Sequence, residues 1–211
     1  MMFHSATKTL QRKGFALLLI CSVLFMIASP AGAEPDSTPK EEVVYANLNA
    51  DGSVDMIYVV NIFTLSAQGK IVDYGNYKAL RNMTSAADIK FDQEKITIDA
   101  PKGKLYYEGT LAANSLPWQF TFHYYLDGQE YAAQDLAGQN GHLEITLAIR
   151  ENPAVNSAFF DHYALQTNVS LDADLCREIQ TTGATIANVG KYKQLTYTIL
   201  PGQTTDITIT A

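Results

Sequence analysis

The feature that most constrains this chain is alternation. In "HLEITLAIR", residues 142–150, Leu143, Ile145, Leu147 and Ile149 occupy one parity, and Glu144, Thr146, Ala148 and Arg150 the other. Successive side chains of a strand point to opposite faces, so this pattern describes a strand with one buried and one wet side. It recurs in "EVVYANLN", "SVDMIYVVNIF", "KIVDYGNY", "DIKFDQEKITIDA", "KLYYEGTL", "PWQFTFHYYLDGQEYAA", "HYALQTNVSL", "QLTYTIL" and "TTDITIT". Asp51-Gly52, Asp127-Gly128, Asn140-Gly141 and Pro201-Gly202 supply turn chemistry between the runs. Helical signals are few. "YKALRNMTSAAD" (77–88) and "LDADLCREIQ" (171–180) have room for a turn or two each, without a sustained apolar stripe. The expected class is all-β, an antiparallel β-sandwich. "AANSLP" interrupts the pattern near Asn114, which divides the chain into a smaller β-rich region, 41–114, and an immunoglobulin-like half, 115–211, with about seven strand-like runs.

The first 33 residues read differently. Lys8, Arg12 and Lys13 precede the apolar run "GFALLLICSVLFMIAS", and "AGA" before Glu34 has the small-residue pattern of a cleavage site. This is the layout of a secretory signal peptide, and the run is somewhat short for a membrane span. Ile20 stands before Cys21 where a lipoprotein signal wants a small residue. Residues 34–40 are a polar, proline-containing linker. Cleavage leaves 12 basic against 22 acidic side chains, a net charge of −10. That balance opposes nucleic acids and anionic membrane surfaces as partners. Only Cys176 then survives, so the expected domain has no internal disulfide and holds by its core.

"NLNADGSVD" imitates a calcium loop, with Asn47, Asn49 and Asp51 at the first, third and fifth positions and Gly52 at the sixth. A helix-loop-helix site needs a bidentate acid at the twelfth position, where this chain has Tyr58, and both flanks alternate as strands. A hairpin is expected. "ANVGKY" (187–192) lacks the spacing of a phosphate loop. His123, His142 and His162 have no metal-ligand spacing. Asp161-His162 has no nucleophile motif to serve. Asp92, Glu94, Glu108, Glu130, Asp135 and Glu144 offer carboxylates, but no pair stands out as a glycosidase couple. Asn82-Met83-Thr84 and Asn168-Val169-Ser170 are formal glycosylation sequons, relevant only in a eukaryotic source.

The aromatic residues are denser. Trp118, Phe120, Phe122 and Tyr124 share one parity of "PWQFTFHYY". Such a strip is either core or, if exposed, a sugar-stacking platform; four large rings favour the core. Tyr125 and Tyr131 are read as lying on the polar side of the same hairpin, available for contact.

Taken together, "KEEVVYANLNADGSVDMIYVVN", "ITIDAPKGKLYYEG", "LPWQFTFHYYLDGQEYAAQDLAGQNGHLEITLAI" and "ATIANVGKYKQLTYTILPG" resemble the N-terminal ectodomain of secreted or surface proteins of Gram-positive, clostridial-type bacteria, loosely YhgE/Pip-like. The resemblance brings no functional residues. It implies continuation into further β segments, heptad regions and a membrane anchor, whereas this chain stops at "DITITA"; the expectation is a fragment or a free secreted domain. No catalytic, cofactor or metal residues are assigned. The expected function is a non-enzymatic exported surface or secreted interaction module with a protein or cell-envelope carbohydrate partner. The alternatives are a carbohydrate-binding module and a secreted hydrolase with dispersed carboxylates.

Overall fold

The computed structural model describes residues 21–24 and 38–211. Of the expected signal segment only Cys21–Leu24 falls within them, and of the linker only residues 38–40. Sixteen strands are found among the described residues. In chain order they are β1 Cys21–Leu24, β2 Lys40–Leu48, β3 Val54–Leu65, β4 Gly69–Tyr74, β5 Tyr77–Asn82, β6 Ile89–Asp92, β7 Lys95–Ala100 and β8 Gly103–Leu111. These are followed by β9 Trp118–Leu126, β10 Gln129–Tyr131, β11 Leu143–Glu151, β12 Leu165–Asp172, β13 Gln180–Thr181, β14 Thr185–Val189, β15 Tyr192–Ile199 and β16 Thr205–Thr210. A 3-10 turn covers Ala133–Leu136, and one short helix, α1, covers Ser157–His162.

All pairings among them are antiparallel. They form an eight-stranded sheet in the order β14-β15-β12-β1-β2-β3-β8-β5, a five-stranded sheet β10-β9-β11-β16-β13, and a three-stranded sheet β4-β7-β6. The chain is an all-β, sandwich-like protein.

Parity explains how the layers stack. On β3, Ile57, Val59, Asn61, Phe63 and Leu65 share one face and all are buried. Ile57 packs with the five-stranded sheet, while Val59, Phe63 and Leu65 pack with β4 and β7. Both small sheets therefore cover the same face of the long sheet, side by side. The larger core holds Trp118, Phe120, Tyr124, Ile145, Leu147, Ile149, Leu165, Val169, Leu195 and Tyr197. Leu147 and Ile149, from the clearest alternating run, are 1% and 0% exposed. Each such burial stabilises the fold by about 1.5–3 kcal/mol.

The packing departs from the expected division at 114/115. Ala46, Leu48 and Ile57, on the β2–β3 hairpin, belong to the C-terminal core, and Val44 and Leu111 touch both cores. The cause is length: β3 runs for 12 residues and reaches under both small sheets. Three local expectations also change. Residues 77–82 form strand β5, because its backbone completes the edge of β8. Residues 173–179 form turns, with the Asp172 carboxylate accepting the Asp174 N–H at 3.0 Å. The C-terminal half has eight strands, against about seven expected, and two of them, β10 and β13, are only three and two residues long. Helix α1 had no sequence signal beyond Asn156, whose side chain caps it by accepting the Ala158 N–H at 2.9 Å.

Candidate functional site

The opening hairpin positions one wall of the site. In its turn, the Asn49 N–H donates to Ser53 O at 2.8 Å and the Gly52 N–H to Asn49 O at 3.0 Å. The Asp51 carboxylate accepts from the Ser53 N–H and hydroxyl at 2.9 and 2.6 Å, which holds its pKa below the usual carboxylate range. Those bonds lock the turn internally. Gly52 has φ +87°, and a Cβ there would lie 2.3 Å from the Phe120 carbonyl oxygen. The turn thus rests against β9, where Tyr124 donates its hydroxyl to Ala50 O at 2.6 Å. "NLNADGSVD" is a docked hairpin. No three His, Cys, Asp or Glu side chains converge as a metal set among the described residues.

Beyond this turn, between the long sheet, the connection into β9 and the segment around α1, lies an apolar cleft of about 250 Å³. Val44, Ala46, Ile57 and Leu111 form its floor; Leu116 and Trp118 line it from the connection into β9, and Val155, Phe159 and Tyr163 from the segment around α1. Trp118 is 5% exposed and packs at 57° to Phe160, 6.3 Å between centroids. Phe159 is 44% exposed and packs against Tyr163 at 5.3 Å. Glu42 is the ionisable side chain that reaches the cleft from the sheet.

Glu42 also begins a polar belt across the inner face of the long sheet. Register places it opposite Asn61, and Asn61 opposite Tyr107. Lys40 donates to Glu42 at 2.5 Å and to Asp73, on β4, at 2.8–2.9 Å. Tyr107 donates its hydroxyl to the same Asp73 carboxylate. The Asn61 amide donates to the Tyr77 hydroxyl at 3.2 Å, while Asn61 Oδ1 is buried without a partner. Gly109 makes room for this: a Cβ there would meet the Tyr77 ring at 2.5 Å. Burial raises the Tyr107 phenol well above its ordinary pKa, and Asp73 adds to the shift. Burial pulls the Lys40 ammonium down, but its bonds to Asp73 and Glu42 prevail and hold it above the usual value. Apart from Asn61 Oδ1, the belt is a paired ionic and hydrogen-bonded network, which favours a structural role over proton transfer.

The aromatic strip is core: Trp118, Phe120 and Tyr124 are 5%, 8% and 3% exposed, and Phe122 stacks on Tyr124. Tyr125 and Tyr131 do not share a face. Tyr131 is opposite Tyr124 and Tyr125 is opposite Glu130, so the two point to opposite sides of the sheet and make no common platform. His123 binds Glu130 at 2.7 Å on the outer surface, the His142 backbone N–H bonds Asp127, and Asp161 and His162 lie exposed on α1. Cys176 is buried, and burial raises its thiol pKa, with Asp172 contributing.

Lys40, Glu42, Asn61 and Asp73 escaped the sequence reading. The signal was present as broken alternation: Lys40 and Glu42 share the parity of Val44, Ala46 and Leu48, and Asn61 that of Ile57, Val59, Phe63 and Leu65. Comparison with family models, with curated proteins and with solved structures finds no match to this chain.

Proposed function

We propose that this protein is a non-enzymatic, exported interaction module that holds an apolar anchor of a protein partner in the cleft between its two cores. The observation that carries the reading is the cleft itself: a concave, almost wholly apolar site whose carboxylate, Glu42, is already committed to Lys40. An apolar concavity with few polar groups is the usual form of a site that binds by desolvation. The acidic chain, −7 overall, favours a partner that is neutral or basic around its anchor. The signal-like start and the resemblance to surface ectodomains support placement outside the cell. The carbohydrate-binding alternative loses its platform, because Trp118 is buried and Tyr125 and Tyr131 face apart.

Trp118 is the chain's single tryptophan and lines the cleft, so it reports occupancy directly. Titration with the neutral apolar dye Nile red is expected to bind one dye per chain and quench Trp118 emission. Phe159→Asp, at the open mouth, is expected to weaken that binding at least tenfold with folding intact. Dye binding that leaves Trp118 unchanged would refute the cleft as the site. Turnover of any polysaccharide in a pH-resolved screen would refute the non-enzymatic reading.

A further inference from the structure

The six sheet edges among the described residues are not protected alike. An open edge is a template for another strand, and folds block it with charges, bulges or very short edge strands. β5 carries Lys78 and Arg81, with a register shift between Tyr77 and Ala79. β4 carries Lys70 and Asp73, and β6 carries Lys90 and Asp92. β10 is three residues long and β13 two. β14, "TIANV", is the exception. It has five residues, no charge, no proline and no register shift against β15. All five are exposed, including the apolar Ile186 at 48% and Val189 at 53%.

This edge is also held ready. The Ala173 N–H donates to Lys191 O at 2.9 Å, and the Lys191 ammonium donates to the Asp172 carboxylate at 2.5 Å. Both bonds tie the β14–β15 turn to β12. The first also sets the parity of β15. Lys191, Lys193 and Leu195 turn their N–H and C=O toward β12, so Tyr192, Gln194 and Thr196 turn theirs toward β14. Register places Val189, Ala187 and Thr185 opposite those three. Ile186 and Asn188 therefore direct N–H and C=O outward, where no strand among the described residues pairs with them.

We infer that β14 joins the β14 of a second copy of this chain, antiparallel, about a two-fold axis at Ala187, so that one sheet runs through both copies. The strand is its own complement in this register. Ile186 and Asn188 of one copy exchange main-chain bonds with Asn188 and Ile186 of the other. Ala187 meets Ala187, and Thr185 meets Val189, so no charge faces its like. The hairpin 184–199 contains Lys191 and Lys193 but no acid, so two chains of net charge −7 bring no acidic pair together at the contact. A two-fold contact uses up both edges and closes, so assembly stops at two chains. Strands of five residues make a small contact, and the dimer is expected to be concentration-dependent rather than obligate. β15, β12 and β1 separate β14 from the cleft floor on β2, so this inference stands apart from the proposed function.

The test is a charge swap on the axis, made in the full 211-residue chain. Sedimentation velocity of the unsubstituted protein, over a series reaching about 1 mM, is expected to show monomer passing to dimer. Ala187 is exposed, so a charge there leaves the fold intact, but the axis sets it against its own copy. Ala187→Lys and Ala187→Glu should each weaken dimerisation about tenfold. An equimolar mixture of the two should dimerise again, because opposite charges then meet. Hydrogen exchange at the Ile186 and Asn188 amides should slow with concentration in the unsubstituted protein and in the mixture, and in neither variant alone. An unsubstituted protein that stays monomeric throughout overturns the inference. So does a dimer that both variants retain while those two amides exchange freely, since its contact lies elsewhere. Association that continues past two chains overturns the closed two-fold. Variants that dissociate and do not recover on mixing overturn the axis at Ala187.

Discussion

The two cores of this protein are built by different rules, although they share one hairpin. The C-terminal core is closed mainly by apolar surface: Leu147, Ile149, Leu165, Val169 and Leu195 meet Trp118, Phe120 and Tyr124 between two sheets of alternating strands, with isolated polar bonds such as Tyr124 to Ala50 O and Tyr197 to Thr181. The N-terminal core is smaller and covered by only three short strands, β4, β7 and β6. It adds the belt of Lys40, Glu42, Asn61, Asp73, Tyr77 and Tyr107. The difference teaches what each kind of contact does. Apolar area gives stability without direction. A network with defined donors and acceptors fixes which strand lies over which, at the cost of desolvating its charges.

The comparison breaks most visibly in the apolar core. Leu147→Ala is expected to destabilise the protein by about 3–4 kcal/mol. Because β2 and β3 enter both cores, calorimetry should still show one transition, moved to lower temperature. Two separate transitions would mean that the cores are independent domains. Next in size is the belt. Asp73→Ala leaves Lys40 with Glu42 alone and strands the Tyr107 hydroxyl, and is expected to cost about 2–3 kcal/mol, discounted because Lys40 keeps some access to water. Asp73→Asn should cost less, as it still accepts from Tyr107. Urea unfolding of the three proteins measures the difference.

A pH effect separates the cores by mechanism. Tyr107 in the belt and Tyr124 in the apolar core both have phenol pKa values raised, by burial first. In the unfolded chain a tyrosine ionises near pH 10, so above that the unfolded state binds fewer protons than the native one. Stability is therefore fully present below about pH 10 and falls as pH rises toward the native values, at about 1.4 kcal/mol per pH unit per tyrosine. Tyr124→Phe should remove one tyrosine's share of that slope in urea titrations between pH 9 and 12. An unchanged slope would show that Tyr124 ionises as freely folded as unfolded. The smallest effect belongs to Asn61→Leu. It removes the unpartnered Oδ1 but leaves the Tyr77 hydroxyl without the Asn61 amide, so the two changes should nearly cancel, within about 1 kcal/mol. A loss above 2 kcal/mol would assign Asn61 a further buried partner.

Much of this was legible in the residues. The alternation of Leu143, Ile145, Leu147 and Ile149 gave β11, and the common parity of Trp118, Phe120, Phe122 and Tyr124 announced a buried strip. The turn at Asp51-Gly52 was readable because glycine tolerates the positive φ the hairpin needs. Tyr125 and Tyr131 were misplaced because the face of a residue across a hairpin depends on register, and the two-residue turn at Asp127-Gly128 pairs Tyr131 with Tyr124. Residues 77–82 were ambiguous because a short mixed segment has little intrinsic preference, and the free edge of β8 decided for a strand.

The sequence by itself determined the class of fold, for period-two alternation is a local property that only a pleated, one-side-buried strand satisfies. It also determined the hairpin turn and the composition of the larger core. The tertiary structure alone decided that one sheet serves two cores, that Glu42 from β2 and Trp118 from the far half line one cleft, and that Asp73 closes a belt with Lys40 and Tyr107. Those facts depend on contacts between residues far apart in the chain, whose pairing is chosen by the packing of whole faces against each other and leaves no mark on either segment alone.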